Sequence, residues 1–336
     1  MRLFHPDQAM YQAAQEGTVF ARLHRGVILG KGADGLDLLQ RLSTGDIGGL
    51  KSGEEGTTVL TTDKGRVLEV VRLLAFEDHL LLLLQGQEVE AVREWLDKYT
   101  IMDDFTTEDA TSSWKLLGLY GEHAKSVLEN ILGTSIPDQG KSVSVEVNGA
   151  PVLAIRDIRL NGSGSFTLLV AEQAADAVEA ALTESGIPEI DEDTRQTLRI
   201  EVGQPESGSE LNDTYNPLEA GLVSWISFTK GCYIGQEVIA RLDTYDKVKR
   251  RLIGLKLDSA EESDLADGQE LTVREPVENV AIGTVTSLTH SYRLGVPVGL
   301  AYIRSAYATP DLPVQLTTTG EDQRVVATGH LAKLPL

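Results

Sequence analysis

The strongest constraint on how this chain folds is a change of pattern near residue 250. Beyond it, short apolar-rich runs at 252–257, 270–273, 280–288, 298–303, 314–318 and 325–331 are separated by Gly268, Gly283, Gly295 and Gly320. Strand-length runs with glycine punctuation and no helical repeat predict a small all-β domain, a closed barrel over 251–336. Before residue 250 strands alternate with helices. Residues 7–16 and 33–43 have helical periodicity, with Leu36, Leu38, Leu39 and Leu42 on one face of the second. Residues 57–60 and 66–75 read as paired strands joined by Thr62-Asp63-Lys64-Gly65. Residues 80–85 read as a buried strand, and 88–98 as a helix with Val89, Val92, Trp95 and Leu96 along one side. The cycle then recurs: a strand at 114–120, a helix at 122–132, a hairpin of 143–147 and 152–158 around Asn148-Gly149, a strand at 166–170, and helices at 171–184 and 194–202. The fold class is therefore α+β, with two tandem α+β units over 1–110 and 111–250 ahead of the barrel. Residues 204–214 are polar and carry Gly, Ser and Pro, which predicts an exposed loop.

Composition narrows the chemistry. The net charge is −21, so direct nucleic-acid binding, which needs basic surface, is disfavoured. An acidic, Lys-poor surface fits a high-salt cytoplasm and equally an ordinary acidic protein; both stay open. One cysteine among 336 residues rules out an intrachain disulfide, a CxxC zinc site and a self-contained four-Cys cluster. His5, His24, His79, His123, His290 and His330 never pair at helical spacing, so no metal site is expected. No apolar run approaches the roughly 18 residues of a membrane span, and the N-terminal residues lack a signal-peptide core. The expected location is cytoplasmic.

The densest cluster of chemistry-bearing residues is Lys230-Gly231-Cys232-Tyr233-Ile234-Gly235-Gln236-Glu237. Its glycines allow positive φ or close backbone approach to a ligand. Lys230, two residues before the thiol, would favour thiolate, and a helix beginning at Gln236 and running to Arg241 would add positive potential. Spacing alone leaves two readings of Cys232, a structural thiol in a tight turn and a reactive one. Arg241, Lys247, Lys249, Arg250 and Arg251 form the most cationic stretch, suited to an anionic ligand tail or partner, or simply solvated. Glu201, at a helix end, could accept from the two N–H donors of an aminopyrimidine ring, or lie on the surface. Asp46 is a ligand candidate or a turn residue.

The eight-residue segment resembles the signature of the YgfZ family, relatives of the aminomethyltransferase (T-protein) of the glycine cleavage system. The resemblance runs along nearly the whole chain. Thr44-Gly45-Asp46-Ile47 is similar to that family's T-N-D-I/V segment, and Lys64-Gly65-Arg66-Val67-Leu68 to its K-G-R-V-L turn. Asn216-Pro217-Leu218-Glu219-Ala220-Gly221-Leu222 resembles its N-P-L-E-A-G-L run. In the barrel, Gly283-Thr284-Val285-Thr286-Ser287 resembles G-x-V-T-S, and Gly299-Leu300-Ala301-Tyr302 resembles A-L-A-Y. The resemblance implies a three-domain ring that binds tetrahydrofolate or a derivative in a central channel. It also implies an accessory role in assembling or maintaining iron–sulfur proteins, including tRNA-modification enzymes, with folate and iron–sulfur enzymes as partners. It assigns Cys232 as the reactive residue, with Lys230, Gly231, Tyr233, Gly235, Gln236 and Glu237 shaping its surroundings. Glu201 falls where the resemblance implies a contact to the pterin, and Asp46 and Arg241 are the further candidate folate contacts.

Two departures bear on the reaction. The aminomethyltransferases carry an acidic pair after the first hairpin glycine, where this chain has Glu69 and Val70. Their R-x-G-Y-T-G-E segment is reduced to Arg159-Leu160-Asn161-Gly162-Ser163-Gly164, without its Glu. The leading expectation is therefore a folate-binding accessory protein with a reactive thiol. The alternatives are an aminomethyltransferase working with a lipoyl carrier protein and a non-catalytic folate sensor or scaffold.

Overall fold

A computed structural model describes the chain apart from residues 2, 137–141, 158–163, 261–264, 266–267 and 320–322. The reduced segment 159–163, the expected strand end at Ile158 and Gly320 lie outside the described residues. In chain order the elements are β1 (Leu3–Phe4), α1 (Gln8–Glu16), β2 (Val19–Leu23), β3 (Val27–Lys31), α2 (Gly35–Leu42), β4 (Glu55–Thr61), β5 (Val67–Ala75), β6 (Leu80–Leu84), α3 (Val89–Tyr99) and β7 (Thr106–Asp109). There follow β8 (Trp114–Tyr120), α4 (Ala124–Leu132), β9 (Val143–Val147), β10 (Ala150–Asp157), β11 (Ser165–Ala171), α5 (Ala175–Glu184), α6 (Glu192–Glu201) and α7 (Gln236–Thr244). The last part holds β12 (Arg250–Ala260), β13 (Leu271–Glu275), β14 (Val280–Ser291), β15 (Val296–Arg304), β16 (Pro313–Thr318) and β17 (Val325–Ala332).

The first sheet runs β4-β5-β6-β3-β7 and the second β2-β8-β11-β10-β9. Helices α2 and α3 cover one face of the first sheet, and α4 and α5 one face of the second. The two remaining faces pack against each other. This explains the uninterrupted leucines at 80–84. Leu80, Leu82 and Leu84 face the helices, whereas Leu81 and Leu83 join Leu23, Leu116, Leu153 and Leu169 between the sheets. A strand buried on both faces has no polar alternation. The hairpin at Asn148-Gly149 has positive φ at both residues, as its sequence requires.

The C-terminal strands close as a barrel in the order β14-β13-β16-β17-β12-β15, sealed by pairing of β14 with β15. The α+β class with a C-terminal barrel is thus observed. The sheets do not follow sequence order strictly. β1 adds to the barrel, parallel to β14, and β2 pairs with β8 in the second sheet. Helix α6 is wedged between α1 and the barrel strands, with Asp191 capping it by accepting from the Thr194 backbone N–H at 2.8 Å.

The expectation of an exposed loop at 204–214 does not hold. Gln204, Glu210 and Leu211 are buried, because the segment runs between the first sheet and the barrel. Its polar character reflects ion pairs to α6. Among the described residues no helix is long and apolar enough to cross a membrane, and no group of His, Cys, Asp and Glu is placed to hold a metal.

Candidate functional site

The 227–237 segment is a strap clamped to the first sheet. Lys230 Nζ donates to the carbonyls of Gln40, Ser43 and Gly45, each at 2.6 Å, and lies 5.0 Å from the Tyr233 ring centroid. It closes the C-terminal end of α2, where unpaired carbonyls and the helix dipole favour a cation. Burial lowers its pKa to about 8, opposed by the nearby Asp46 charge. Asp46 is exposed and accepts from Gln40 Nε2 at 2.8 Å. The Ile234 carbonyl accepts from Thr61 Oγ1 at 2.7 Å, and the Ile234 N–H donates to Arg41 at 3.1 Å. Gly235 has φ +83 and sits so close to the β4–β5 turn that a Cβ would meet the Thr62 carbonyl at 2.7 Å. Tyr233 is buried with Leu218, Ile226 and Ile239.

Cys232 is exposed at the apex of this strap, which removes the buried structural reading of the thiol. The three donors of Lys230 are engaged by α2. Gly231 and Glu237 are exposed beside the thiol, Gln236 is half-buried, and Arg241 is exposed in the last turn of α7. The structure thus brings Asp46, Lys230 and the signature residues together.

Glu201 lies elsewhere. Its buried carboxylate accepts from Tyr11 Oη at 2.6 Å and from Ser291 Oγ, with Arg293 Nε at 3.8 Å. Burial and the bond to Glu201 push Tyr11 up to about 12. Glu201 therefore ties α1 and α6 to the barrel and lines none of the cavities described below.

A crevice of about 500 Å³ opens where the two sheets, α6 and the 204–214 segment meet. Arg25 and Gln85 line both this crevice and a small inner pocket of about 30 Å³, whose other walls include Val70, Arg72, Gln204 and Trp225. Arg72 is doubly bonded to Glu55. Arg25 is 9 % exposed and makes no hydrogen bond or ion pair among the described residues. Gln204 is also 9 % exposed, and its Oε1 has no partner. A larger cleft of about 820 Å³ separates the barrel from residues 208–215, but none of its lining side chains carries a buried, unpaired polar atom.

Glu69 stands behind the stretch of crevice wall formed by Gly86 and Ser207, both of which it bonds. It is 2 % exposed and accepts from the Val70 N–H at 2.9 Å, the Gly86 N–H at 3.2 Å and Ser207 Oγ at 3.3 Å. Burial raises its pKa to about 7, and the backbone donors at Val70 and Gly86 hold it from rising further. A Cβ at Gly86 would come within 2.8 Å of both Glu69 Oε2 and Ser207 Oγ, so a larger residue there would push these side chains aside. Ser207 and Gly86 line the crevice itself, whereas Glu69 lines an adjoining pocket of about 430 Å³ that shares Glu88, Ser207 and Gly208 with the crevice. The adjacent Val70 turns into the inner pocket, so no second carboxylate faces its contents.

The residues nominated by the signature and those lining the crevice are separate sets. Sequence reasoning noted Glu69 only as a counterpart of an acidic pair. It offered no signal for Arg25 or Gln204, which are far apart in the chain and carry no motif.

Comparison with known proteins agrees with this architecture. Residues 11–230 match the GCVT N-terminal domain, and residues 250–332 match the glycine cleavage T-protein C-terminal barrel domain. A putative chloroplastic transferase of Arabidopsis thaliana is 30% identical, covering 95% of this chain and 72% of its own length. A probable aminomethyltransferase of Halobacterium salinarum is 28% identical over 97% of this chain and 90% of its own. The crystal structure of the glycine cleavage aminomethyltransferase T of Bartonella henselae shares the fold, with a TM-score of 0.79, 19% identity and coverage of 97% of this chain and 88% of its own. By these domain matches, which together span most of its length, the chain belongs to the glycine cleavage T-protein family.

Proposed function

We propose that this protein is a tetrahydrofolate-dependent transferase of the T-protein type, with the folate ring in the crevice and Glu69 as the carboxylate that handles protons there. The observation that carries this reading is the buried Glu69 side chain, held near pKa 7 beside the crevice by burial. A carboxyl group so poised both takes and gives a proton at neutral pH. The unpaired Arg25 and Gln204 fit a polar heterocycle. Bound tetrahydrofolate would supply the amines that take up a one-carbon unit. On the protein side, Val70 and Trp225 shield the inner pocket from water, while Ser207 and the Gly86 N–H fix the carboxylate. Formation of methylene-tetrahydrofolate from an aminomethyl-lipoyl donor tests the reading directly. Glu69→Gln should lower kcat by roughly 10²–10⁴-fold, as expected for loss of a general acid–base group. A wild-type protein that binds folate without turnover would refute it.

One observation favours a second reading, the YgfZ-like accessory role with iron–sulfur enzymes as partners. Cys232 is presented to solvent on a firmly anchored strap. On that reading Cys232→Ala abolishes function in cells and leaves folate affinity intact, whereas retained function dismisses it. A mere folate sensor would bind without turnover and tolerate Cys232→Ser.

A further inference from the structure

We propose that Arg25 and Gln204 together read the lactam edge of the bound ring, the adjacent C=O and N–H of an oxo-pyrimidine, and so exclude its 4-amino counterparts. This rests on the folate-binding reading above.

Arg25 and Gln204 are the two buried polar side chains of the inner pocket's wall, and each lacks a partner there. Arg25 leaves the link between β2 and β3, and Gln204 follows α6; both are nine-tenths buried and line the same inner pocket. Arg72 in the same wall shows how an arginine there is ordinarily satisfied, through Glu55. Arg25 has no such acid, and the Gln204 Oε1 has no donor. A buried, unpaired acceptor such as the Gln204 Oε1 is rare in folded proteins and calls for a water or ligand to complete it, and the Arg25 guanidinium beside it is free of protein partners among the described residues on its way to the crevice. Gln204 is nonetheless firmly placed. Its backbone N–H donates to the Arg199 carbonyl at 2.8 Å, and its own carbonyl accepts from Arg199 Nη1 at 3.1 Å.

Size and polarity together identify the occupant. At about 30 Å³ the inner pocket takes one small polar group and no ring, whereas the crevice that shares Arg25 has about 500 Å³. A ring lying in the crevice therefore offers only its leading edge. Guanidinium is purely a donor and an amide oxygen purely an acceptor. The complementary edge presents an acceptor beside a donor. An oxo-pyrimidine lactam does so through its exocyclic oxygen and ring N–H. The 4-amino analogue reverses the pattern, setting an amino donor against Arg25 and a ring lone pair against the Gln204 oxygen. A carboxylate would satisfy Arg25 but, with the Gln204 amide oriented as observed, would face its oxygen.

The test is calorimetric binding of 5-methyl-tetrahydrofolate and of its 4-amino-4-deoxy counterpart to the full chain. The wild type should prefer the oxo compound by at least about a hundredfold, since a site that pairs polar groups rejects a ligand that leaves them unpaired. Arg25→Leu and Gln204→Leu should each bring that ratio close to one. Arg25→Lys, which keeps a donor, should restore part of it. Gln204→Met serves as the alternative if the leucine variant does not fold, as judged by its thermal melt. Equal binding of both compounds by the wild type overturns the proposal and leaves folate binding standing. A preference that survives the Arg25 and Gln204 substitutions makes the pocket a water site and also overturns it. Binding of neither compound overturns it together with the folate reading.

Discussion

Two buried polar regions lie side by side in this molecule and behave in opposite ways. At the junction of α6 with the barrel, Arg199 is almost wholly buried and fully engaged. It donates to Glu210 at 2.9 Å, to Ser287 Oγ at 2.9 Å and to Gln196, with Glu206 at 3.3 Å. Arg195 pairs with Glu192 and Glu206, each at 2.7 Å. Across the crevice, Arg25 and the Gln204 amide oxygen have no partners, and Glu69 meets only neutral donors. A saturated network locks one geometry and offers nothing to a ligand; an unsaturated one keeps binding capacity in reserve. The first also supports the second, because Arg199 holds the backbone of Gln204 on both sides.

The largest test of this contrast is to break the saturated side. Arg199→Met should destabilise the fold by about 3–5 kcal/mol, because it strands buried Glu210 and Glu206. Urea unfolding should show a lower midpoint, whereas Arg25→Leu should leave the midpoint unchanged or raise it.

The next test uses pH, where the two regions should respond in opposite directions. Glu69 has its pKa raised by burial to about 7, above the ordinary 4.5. The folded state therefore holds its proton more tightly than the unfolded state. That stability is complete below about pH 4.5 and is lost as pH rises through 7, up to about 3 kcal/mol in all. Burial alone would raise Glu206 too, but the Arg195 and Arg199 charges hold it down at about 2. Its contribution, of similar size, is present above about pH 4.5 and is lost as pH falls towards 2. Denaturation series on Glu69→Gln and Glu206→Gln should flatten the neutral limb and the acid limb respectively. An unchanged profile in either variant would break the assignment.

Smaller effects belong to the strap. Lys230→Met leaves three carbonyls at the end of α2 without their donor, and should cost about 1–3 kcal/mol by the same unfolding assay. Cys232→Ser touches an exposed side chain and should change stability by less than about 0.5 kcal/mol. A larger loss would mean that the thiol packs against the strap.

Much of the architecture was legible because it depends on local pattern. The barrel strands, the Asn148-Gly149 hairpin and the leucine strand at 80–84 all announce themselves within a few residues. Other elements did not. β2 and β3 flank Leu23-His24-Arg25-Gly26 without polar alternation, since both strands are buried by partners far away in the chain. The 204–214 segment reads as solvent-exposed because its acids find arginines on α6, which composition does not show. Glu201 has the right chemistry for a ring amine, but the sequence does not show that its Oε1 accepts from Tyr11 and Ser291, both far away in the chain. The signature around Cys232 is legible as a motif. The crevice and its inner pocket are not, because residues 25, 85, 204 and 225 meet only in three dimensions.

The pairing of β1 with β14 has a consequence for how the protein is made. Leu3 and Phe4 are synthesised 285 residues ahead of their partners Leu288 and Thr289. The two sheets can assemble during translation, whereas the barrel and the strand that flanks it must wait. Contacts of such long sequence separation slow the last step of folding and leave an unpaired strand edge exposed meanwhile. Chaperone dependence in this protein should therefore be concentrated at barrel closure.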